Sequence, residues 1–258
     1  MLQCPVRACQ LALTRDGRRL HCPSGHSFDA ARSGYVNLLQ PQERRSKNPG
    51  DSSEAVAARR RLHSRGVTEP LLRAIADLFA PQANDAILDA GCGEGFYLGS
   101  MQSEYGFQGS GIDISVPAID AAARRYPECE CIVANADRSI PYSAQSFSKV
   151  MSITARMNPD EFHRVLKEDG RLLVAIPAPE DLIELRGGVG RDRVARTAET
   201  FATKFNLLAH RRAAATADLD MAEVEDVLLS IYRPMQPVAA QARRVTLAID
   251  MLLFGRRT

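Results

Sequence analysis

Between residues 86 and 176, short apolar runs alternate with helix-like stretches, and this alternation constrains the fold more than any other feature of the chain. The runs that resemble buried strands are 86–89, 111–114, 130–134, 149–153 and 170–176. The stretches that resemble helices are 95–105, 117–126 and 159–167. Short buried strands that alternate with helices are typical of a parallel sheet with helices on both faces. The pattern therefore predicts an α/β fold with a mostly parallel sheet.

Further elements are predicted on both sides of this region. Residues 52–81 resemble one or two helices with a break at Gly66, and 41–51 is a polar, proline-containing segment that resembles a linker. Near the C-terminus, 207–217 and 245–254 are strand candidates, and we expect the second to add an antiparallel strand. This interpretation divides the chain into a small module (1–40), a linker with helices (41–81) and the main α/β domain (82–258).

Composition limits the class of protein. Apolar residues make up 45% of the 258 residues and charged residues 25%, as in ordinary globular proteins. No apolar run approaches the roughly 20 residues that span a bilayer, and the first ten residues contain no apolar segment of a secretory signal. We therefore expect a cytoplasmic protein without a membrane partner. In that compartment, clustered cysteines indicate a metal or chemistry rather than disulfides.

Two pairs of potential metal ligands lie within the first 26 residues. Cys4 and Cys9 form one pair, and Cys22 and His26 form the second after 12 intervening residues. An Asp-Gly dipeptide at 16–17, a strong hairpin signal, lies between them. Two close pairs that a hairpin brings together are typical of a closed, structural zinc site. A segment this small buries too little apolar surface to fold alone, so the metal would supply most of its folding free energy.

Two alternatives to this zinc site remain open at this stage. The cysteines would then be scattered free thiols beside a surface histidine, or His21 would replace His26 as the imidazole ligand. His21 directly adjoins Cys22, which leaves no loop through which the chain can turn between the two ligands.

A glycine-rich turn follows the first predicted strand of the α/β domain. Gly91, Gly93 and Gly95 alternate with other residues, and Asp89 precedes the first glycine by two positions. Glycines allow the backbone to approach a ligand closely. Asp113 ends the next predicted strand, where a carboxylate can accept both hydroxyls of a ribose. A glycine-rich turn alone also fits a nicotinamide dinucleotide, but the Gly-x-Gly-x-Gly spacing, in place of Gly-x-Gly-x-x-Gly, and the two acids favour another cofactor.

Together these residues resemble the first two motifs of class I S-adenosylmethionine-dependent methyltransferases, which have a Rossmann-like fold. Asn135-Ala136-Asp137 falls where that superfamily contacts adenine, although a surface turn is the alternative role for Asp137. Ile140-Pro141-Tyr142 resembles the Leu-Pro-Phe that usually follows. The resemblance implies S-adenosylmethionine as the cofactor.

The chain as a whole resembles a narrower family. The segments Phe28–Leu39 and Pro49–Ser52, combined with the cysteine module and the glycine turn, resemble the 23S ribosomal RNA (guanine-N1)-methyltransferases, which methylate one guanine in a hairpin loop. The resemblance implies a zinc module that helps to recognise RNA and a homodimer with a shared RNA cleft. Residues carried over as zinc ligands are Cys4, Cys9, Cys22 and His26. Cofactor residues implied by the two resemblances are Asp89, Gly91, Gly93, Glu94, Asp113 and Asp137.

Charge is distributed unevenly along the chain. Residues 1–75 contain 13 Lys and Arg against 6 Asp and Glu, whereas the remainder is net negative. A basic first third suggests an anionic partner, although a solvated, arginine-rich helix face is the alternative. Candidate RNA contacts are Arg44, Arg45, Lys47, Arg59, Arg60, Arg61, Arg186, Arg191, Arg193 and Arg196. Phe28 and Tyr35 are candidates either for stacking on bases or for the core of the module.

The chemistry leaves one role without an assigned residue. Guanine N1 carries a proton that must be lost during methylation, and the sequence identifies no general base. Asp181 and Glu184 are candidates by location alone, with a loop-closing or helix-surface role as the alternative.

Two other functions remain possible from the sequence. One is a methyltransferase of a small molecule, although a small substrate needs no basic surface. The other is a non-catalytic zinc-knuckle protein that binds nucleic acid, although an intact glycine turn argues against a decayed cofactor site.

Overall fold

The structure is a computed structural model that describes residues 1–6, 9–43, 49–231 and 239–257. The strands in chain order are β1 (Thr14–Asp16), β2 (Arg19–His21), β3 (Ser27–Asp29), β4 (Val36–Asn37), β5 (Ala86–Ala90), β6 (Gln108–Asp113), β7 (Glu130–Val133), β8 (Phe147–Ile153), β9 (Leu166–Pro177), β10 (Phe205–Leu219) and β11 (Arg243–Arg256). The helices are α1 (Ser53–Ser64), α2 (Glu69–Phe79), α3 (Phe96–Tyr105), α4 (Val116–Arg125), α5 (Pro159–Val165), α6 (Ile183–Arg186), α7 (Val194–Phe201) and α8 (Met221–Ser230).

One large mixed sheet organises the molecule. Across the described residues its strand order is β10-β11-β9-β8-β5-β6-β7-β4. The six strands from β9 to β4 are parallel, whereas β11 runs antiparallel to both β9 and β10. The predicted parallel sheet is confirmed, and both C-terminal strand candidates join it, β11 antiparallel to β9 and β10 antiparallel to β11. They form a long hairpin from Phe205 opposite Arg256 to Leu219 opposite Arg243.

The parallel strands of the sheet are buried on both faces, as their apolar runs predict. Along β9, Leu172 and Val174 pack into one apolar cluster while Leu173 and Ala175 pack into another. The chain reverses its order at β5, because β6 and β7 lie on one side of it and β8 on the other. In open α/β sheets, the carboxyl ends of the strands at such a reversal form the ligand crevice. The glycine turn follows β5 at this position.

Local signals set the ends of the helices near this crevice. Ser52 caps α1 by accepting a hydrogen bond from Ala55 N, and Gly66 lies in the turn that separates α1 from α2. Ser115 caps α4 in the same way, by accepting from Ala118 N. The prediction of one or two helices over 52–81 is therefore confirmed, and the structure has two.

The N-terminal module contains the small sheet β1-β2-β3. The turn at Asp16-Gly17 joins β1 to β2 as predicted, with Gly17 at φ +57°. The module does not stand apart, since Leu2, Leu13 and Leu20 belong to the same apolar cluster as residues of the large sheet. Strand β4 also extends that sheet, with Val36 beside Ile132 of β7. A domain boundary at residue 40 stays a prediction.

Candidate functional site

The four predicted zinc ligands come together in the folded module. The Sγ atoms of Cys4, Cys9 and Cys22 and a ring nitrogen of His26 all lie within 4.8 Å of one another. His26 Nδ1 is 3.4 Å from the Sγ atoms of both Cys4 and Cys22, and the Sγ atoms of Cys9 and Cys22 are 3.9 Å apart. Thiolates at about 2.3 Å around a tetrahedral zinc ion have roughly this spacing. The donor set and its geometry therefore fit zinc.

Tight backbone turns present each ligand pair. In the first turn, Cys9 N donates to Val6 O at 2.8 Å and Gln10 N donates to Cys4 O at 3.1 Å. In the second, Cys22 N donates to His26 O at 3.0 Å. The four residues between Cys4 and Cys9 therefore form a turn that brings both thiols into the cluster. His21 lies in β2 and is not part of it, which removes the alternative imidazole.

The glycine turn after β5 is held against the neighbouring strand. The backbone N–H groups of Gly91 and Cys92 both donate to Ile112 O, at 2.8 and 3.0 Å. Gly91 lies at φ +91° and Gly93 at φ +56°, in the left-handed region that favours glycine. A Cβ on Gly91 would also collide with the side chain of Ala155. The turn is thus pre-formed and brings bare backbone to the end of the sheet.

Asp113 closes the other side of this crevice. Its Oδ2 accepts a hydrogen bond from Gly93 N at 2.9 Å, and its Oδ1 accepts one from Ser115 N at 2.8 Å. Burial raises the pKa of Asp113, and these two hydrogen bonds oppose the rise. Since each carboxylate oxygen has two lone pairs, the group can accept further hydrogen bonds from a ligand.

Asp89 lies beneath the turn with an incomplete set of partners. Its side chain is buried, and Oδ1 has no hydrogen-bond partner in the described part of the chain. Burial raises the pKa of Asp89 to about 8, and the charge of Asp113 adds to the shift. A buried carboxyl group without a partner is costly, and a cationic ligand group would relieve that cost.

Comparisons with known proteins agree with this arrangement. A family model described as "RlmA, N-terminal", a zinc ribbon, matches residues 2–47, and one described as "Methyltransferase domain" matches residues 87–174. The chain is 34% identical over 229 residues to the 23S rRNA (guanine(748)-N(1))-methyltransferase of Streptomyces fradiae, which covers 85% of this chain and 80% of that protein. The chain belongs to the 23S rRNA (guanine-N1)-methyltransferase family. It is therefore an S-adenosylmethionine-dependent methyltransferase with a structural zinc site.

Other similar proteins are consistent with this family and fold. The putative 23S rRNA (guanine-N(1)-)-methyltransferase YxjB of Bacillus subtilis is 36% identical over 208 residues, which cover 76% of this chain and 71% of that protein. Among solved structures, a TehB-like methyltransferase of Corynebacterium glutamicum covers 80% of this chain and 98% of its own, with a TM-score of 0.50 and 20% identity. A putative methyltransferase of Haloferax volcanii, solved in complex with its Trm112 activator, covers 79% and 97%, with a TM-score of 0.54 and 18% identity. These two likenesses show the fold alone.

The crevice of the methyltransferase fits its cofactor chemically. S-adenosylmethionine carries an ammonium and a sulfonium, and the unpartnered carboxyl of Asp89 lies beside the turn. It also carries a ribose diol, for which Asp113 retains acceptor capacity. When bound, the cofactor supplies an electrophilic methyl group.

The Glu94 side chain pairs with a histidine inside the protein. It is buried, and its Oε1 lies 2.7 Å from Nδ1 of His63 on α1. Burial lowers the pKa of His63, which favours a neutral ring that donates its Nδ1–H to the carboxylate. The His63 ring also stacks on Phe96 with centroids 4.0 Å apart. Glu94 thus ties α1 to the glycine turn through Oε1, while its buried Oε2 has no hydrogen-bond partner in the described part of the chain and lies 3.8 Å from Nη1 of Arg125.

Asp137 lies on the loop that follows β7. Its Oδ2 is 3.4 Å from Nε of Arg156, and its backbone oxygen accepts a hydrogen bond from Asn158 Nδ2 at 3.0 Å. These contacts join the loop after β7 to the loop after β8, at the same edge of the sheet as the glycine turn. They fit both the adenine role and the turn role that the sequence left open.

Both candidates for a general base make hydrogen bonds to other parts of the protein. Asp181 Oδ1 accepts a hydrogen bond from Ala248 N at 3.0 Å, and its Oδ2 pairs with Arg186 at 3.2 Å. Glu184 accepts from both the backbone N–H and the hydroxyl of Thr246. Both side chains tie the α6 region to β11, which agrees with the loop-closing alternative.

Several predicted RNA contacts are also used inside the protein. Arg59 pairs with Asp51 at 2.6 Å, and Arg61 makes a bidentate pair with Asp226. These ion pairs occupy part of each guanidinium, and contact of either arginine with RNA stays a prediction. Arg44, Arg45 and Lys47 lie outside the described residues. Phe28 and Tyr35 are half-buried and pack against the apolar clusters, as the core alternative predicted.

Sequence reasoning missed His63 altogether and did not place Arg59 beside the glycine turn. Arg59 and His63 are four residues apart on α1 and therefore share a helix face, which the structure places against the turn. A histidine four residues after Arg59 in an arginine-rich helix was the available signal.

Proposed function

We propose that this methyltransferase transfers the methyl group of S-adenosylmethionine to N1 of a guanine in a hairpin loop of 23S ribosomal RNA. The observation that carries the proposal is the position of Asp113, whose carboxylate lies 2.9 Å from Gly93 N at the pre-formed turn. The relatives named as 23S rRNA guanine-N1 methyltransferases support the choice of substrate.

The cofactor residues in this proposal divide by the part of the ligand that they face. Asp113 accepts the ribose hydroxyls, and Asp89 faces the ammonium. Gly91, Gly93 and Glu94 contact the ligand through the backbone. Asp137 contacts its adenine end. The pre-formed turn and the unpartnered Asp89 Oδ1 support these roles.

The reaction is an in-line displacement in which the protein mainly positions the reactants. A bond forms between guanine N1 and the methyl carbon while the carbon–sulfur bond breaks. The N1 proton is released, and the products are N1-methylguanine in the RNA and S-adenosylhomocysteine. Alignment of the guanine ring with the methyl group therefore sets the rate.

RNA recognition is assigned to the zinc module. Four exposed arginines on or beside its small sheet supply positive charge: Arg15, Arg18, Arg19 and Arg32. Cations of this kind contact phosphates and position the RNA. We further propose that two copies form a homodimer with a shared RNA cleft, and that the enzyme acts in the cytoplasm. No helix among the described residues is long and apolar enough to span a bilayer.

The proposal is tested with unmodified large-subunit RNA and S-adenosylmethionine that carries a labelled methyl group. We expect label in the RNA and a single new stop in primer extension, since a methyl on N1 blocks the pairing edge of guanine. The Asp113→Ala variant serves as the control without label. Labelled RNA without a stop at a guanine would contradict the proposed position.

The same experiment separates the alternatives. Cofactor binding without any labelling of RNA would favour a methyltransferase of a small molecule. Absence of cofactor binding would favour a non-catalytic zinc-knuckle protein that binds nucleic acid.

A further inference from the structure

One turn of α1 lies directly over the glycine turn. His63 contacts Glu94, and Arg59, four residues earlier, faces Gly93. The Nη1 atom of Arg59 is 3.6 Å from the position that a Cβ on Gly93 would occupy. The guanidinium is therefore next to the backbone that the cofactor approaches.

The surroundings of Arg59 are mostly acidic. Asp51, Asp89 and Asp113 all lie around the crevice, and burial raises the pKa of Asp113 while the Arg59 charge opposes that rise. The positive charge of Arg59 therefore acts on Asp113, at the ribose side of the site. A second cation near the turn, Arg125, lies 3.8 Å from Glu94 Oε2 and packs over the Tyr126 ring.

Arg59 keeps unused hydrogen-bond donors. Its Nη1 donates to Asp51 Oδ2 at 2.6 Å, and its Nη2 donates to Ser230 O at 2.8 Å. A guanidinium has five N–H groups, and in the described part of the chain the remaining three have no acceptor. The two existing bonds hold the planar group in place while the spare donors suit a second carboxylate.

S-adenosylmethionine brings such a carboxylate. Its methionine part carries one carboxylate beside an ammonium and a sulfonium, and the acidic crevice suits only the two cations. We propose that Arg59 binds the carboxylate of the cofactor, with Asp51 and the Ser230 carbonyl holding the guanidinium in position. This inference rests on the proposed cofactor site and adds a residue from α1 to it. It also replaces the RNA contact that the arginine run suggested for Arg59.

The test uses two ligands that differ by the carboxylate alone. Isothermal titration calorimetry gives Kd for S-adenosylmethionine and for decarboxylated S-adenosylmethionine, with the full chain and without RNA. We expect the wild type to prefer the carboxylated ligand by about 10- to 100-fold, the range for a hydrogen-bonded charge pair. In Arg59→Met that preference disappears, because the affinity for S-adenosylmethionine falls by the same factor while that for the decarboxylated ligand is unchanged.

Two further variants separate binding from folding. Arg60→Met, the adjacent exposed arginine, is expected to keep both affinities. Arg59→Lys keeps the charge and is expected to restore part of the preference, and thermal melting shows whether each variant is folded. Equal weakening of both ligands in folded Arg59→Met would show that Arg59 only holds α1, and would overturn the inference. A preference that persists in Arg59→Met, or none in the wild type, would also overturn it.

The outcome is independent of the RNA substrate. If the ligand preference follows Arg59 but no RNA is methylated, the proposed substrate fails and the inference stands. If RNA is methylated but Arg59→Met keeps the preference, the inference fails and the proposed function stands.

Discussion

The zinc cluster and the glycine turn are two ligand sites that obtain their order from different sources. Around the cluster the strands are three residues long, and β1 is exposed throughout. The glycine turn instead follows a strand whose Ile87 and Leu88 are fully buried, and it is fixed by backbone bonds to Ile112 and by Asp113. We therefore expect the module to depend on its metal, whereas the cofactor turn is formed before its ligand binds.

The largest expected effect comes from loss of the metal. In Cys22→Ser the cluster loses a thiolate, and structural zinc contributes on the order of 10 kcal/mol to the folding of such modules. We expect loss of zinc, unfolding of the small sheet, and at least roughly a hundredfold loss of RNA methylation. Cofactor affinity should stay within about threefold, because the turn belongs to the large sheet.

Metal analysis, amide hydrogen exchange and calorimetry check this prediction. Cys129→Ser is the matched control, because Cys129 lies outside the cluster, and it should retain zinc. A Cys22→Ser protein that keeps both zinc and a protected small sheet would contradict the dependence on the metal.

The second prediction places the same substitution in each region. Gly91 and Gly25 have similar φ values, +91° and +82°, but a Cβ on Gly91 meets Ala155 whereas a Cβ on Gly25 meets nothing within 4 Å. Gly91→Ala should lower the free energy of unfolding by roughly 2–5 kcal/mol, from backbone strain and overpacking together. Gly25→Ala should lower it by only about 1–2 kcal/mol. Urea unfolding measures both, and equal losses would show that close packing does not distinguish the two turns.

The third prediction concerns the strength of the cofactor contacts. Asp113→Asn keeps the shape of the side chain but removes the charge that holds Gly93 N, and we expect an affinity for S-adenosylhomocysteine about 10- to 30-fold weaker. Asp137→Asn should weaken it by only about threefold, since Asp137 also pairs with Arg156. Calorimetry ranks the two variants. The opposite ranking would move the main contact from the ribose to the adenine end.

The smallest effect is a pH dependence. Burial raises the pKa of Asp89 to about 8, so this acid is mostly protonated at pH 7 in the free protein. A cationic ligand group favours the ionised form, so cofactor affinity should rise from pH 6 to pH 8 by about tenfold at most in total, the factor for a pKa that binding lowers by one unit, and then level off. Stability should fall over the same range, because the folded state holds a proton that the unfolded chain has lost.

Titrations in two buffers with different ionisation enthalpies detect the proton that is released on binding. Asp89→Asn is expected to remove both the proton release and the slope. Unchanged proton release in that variant would assign the effect to another group.

The sheet and the metal cluster could be predicted from the sequence because both depend on the local spacing of residues. Neighbouring residues alone show the apolar runs around Leu88 and Ile112. They also show the ligand spacing of Cys22 and His26. The pairing of Val36 with Ile132 was not readable, because two residues carry no periodic signal and their partner lies far along the chain.

The roles of charged residues were the least predictable from the sequence. Arg61 was expected to face RNA, but its partner Asp226 is 165 positions away and only the packing of α8 against α1 brings them together. The contact between His63 and Glu94 likewise depends on where α1 crosses the turn. Helix periodicity shows which residues share a face, but not what that face meets.

The central claim is that the pre-formed turn and the zinc module together deliver a methyl group to guanine N1. Nucleoside digestion and mass spectrometry of large-subunit RNA after reaction test it most directly. We expect 1-methylguanosine at about one equivalent per RNA with the wild type, and none with either Cys22→Ser or Asp113→Ala. A different methylated nucleoside, or full methylation by Cys22→Ser, would contradict the account.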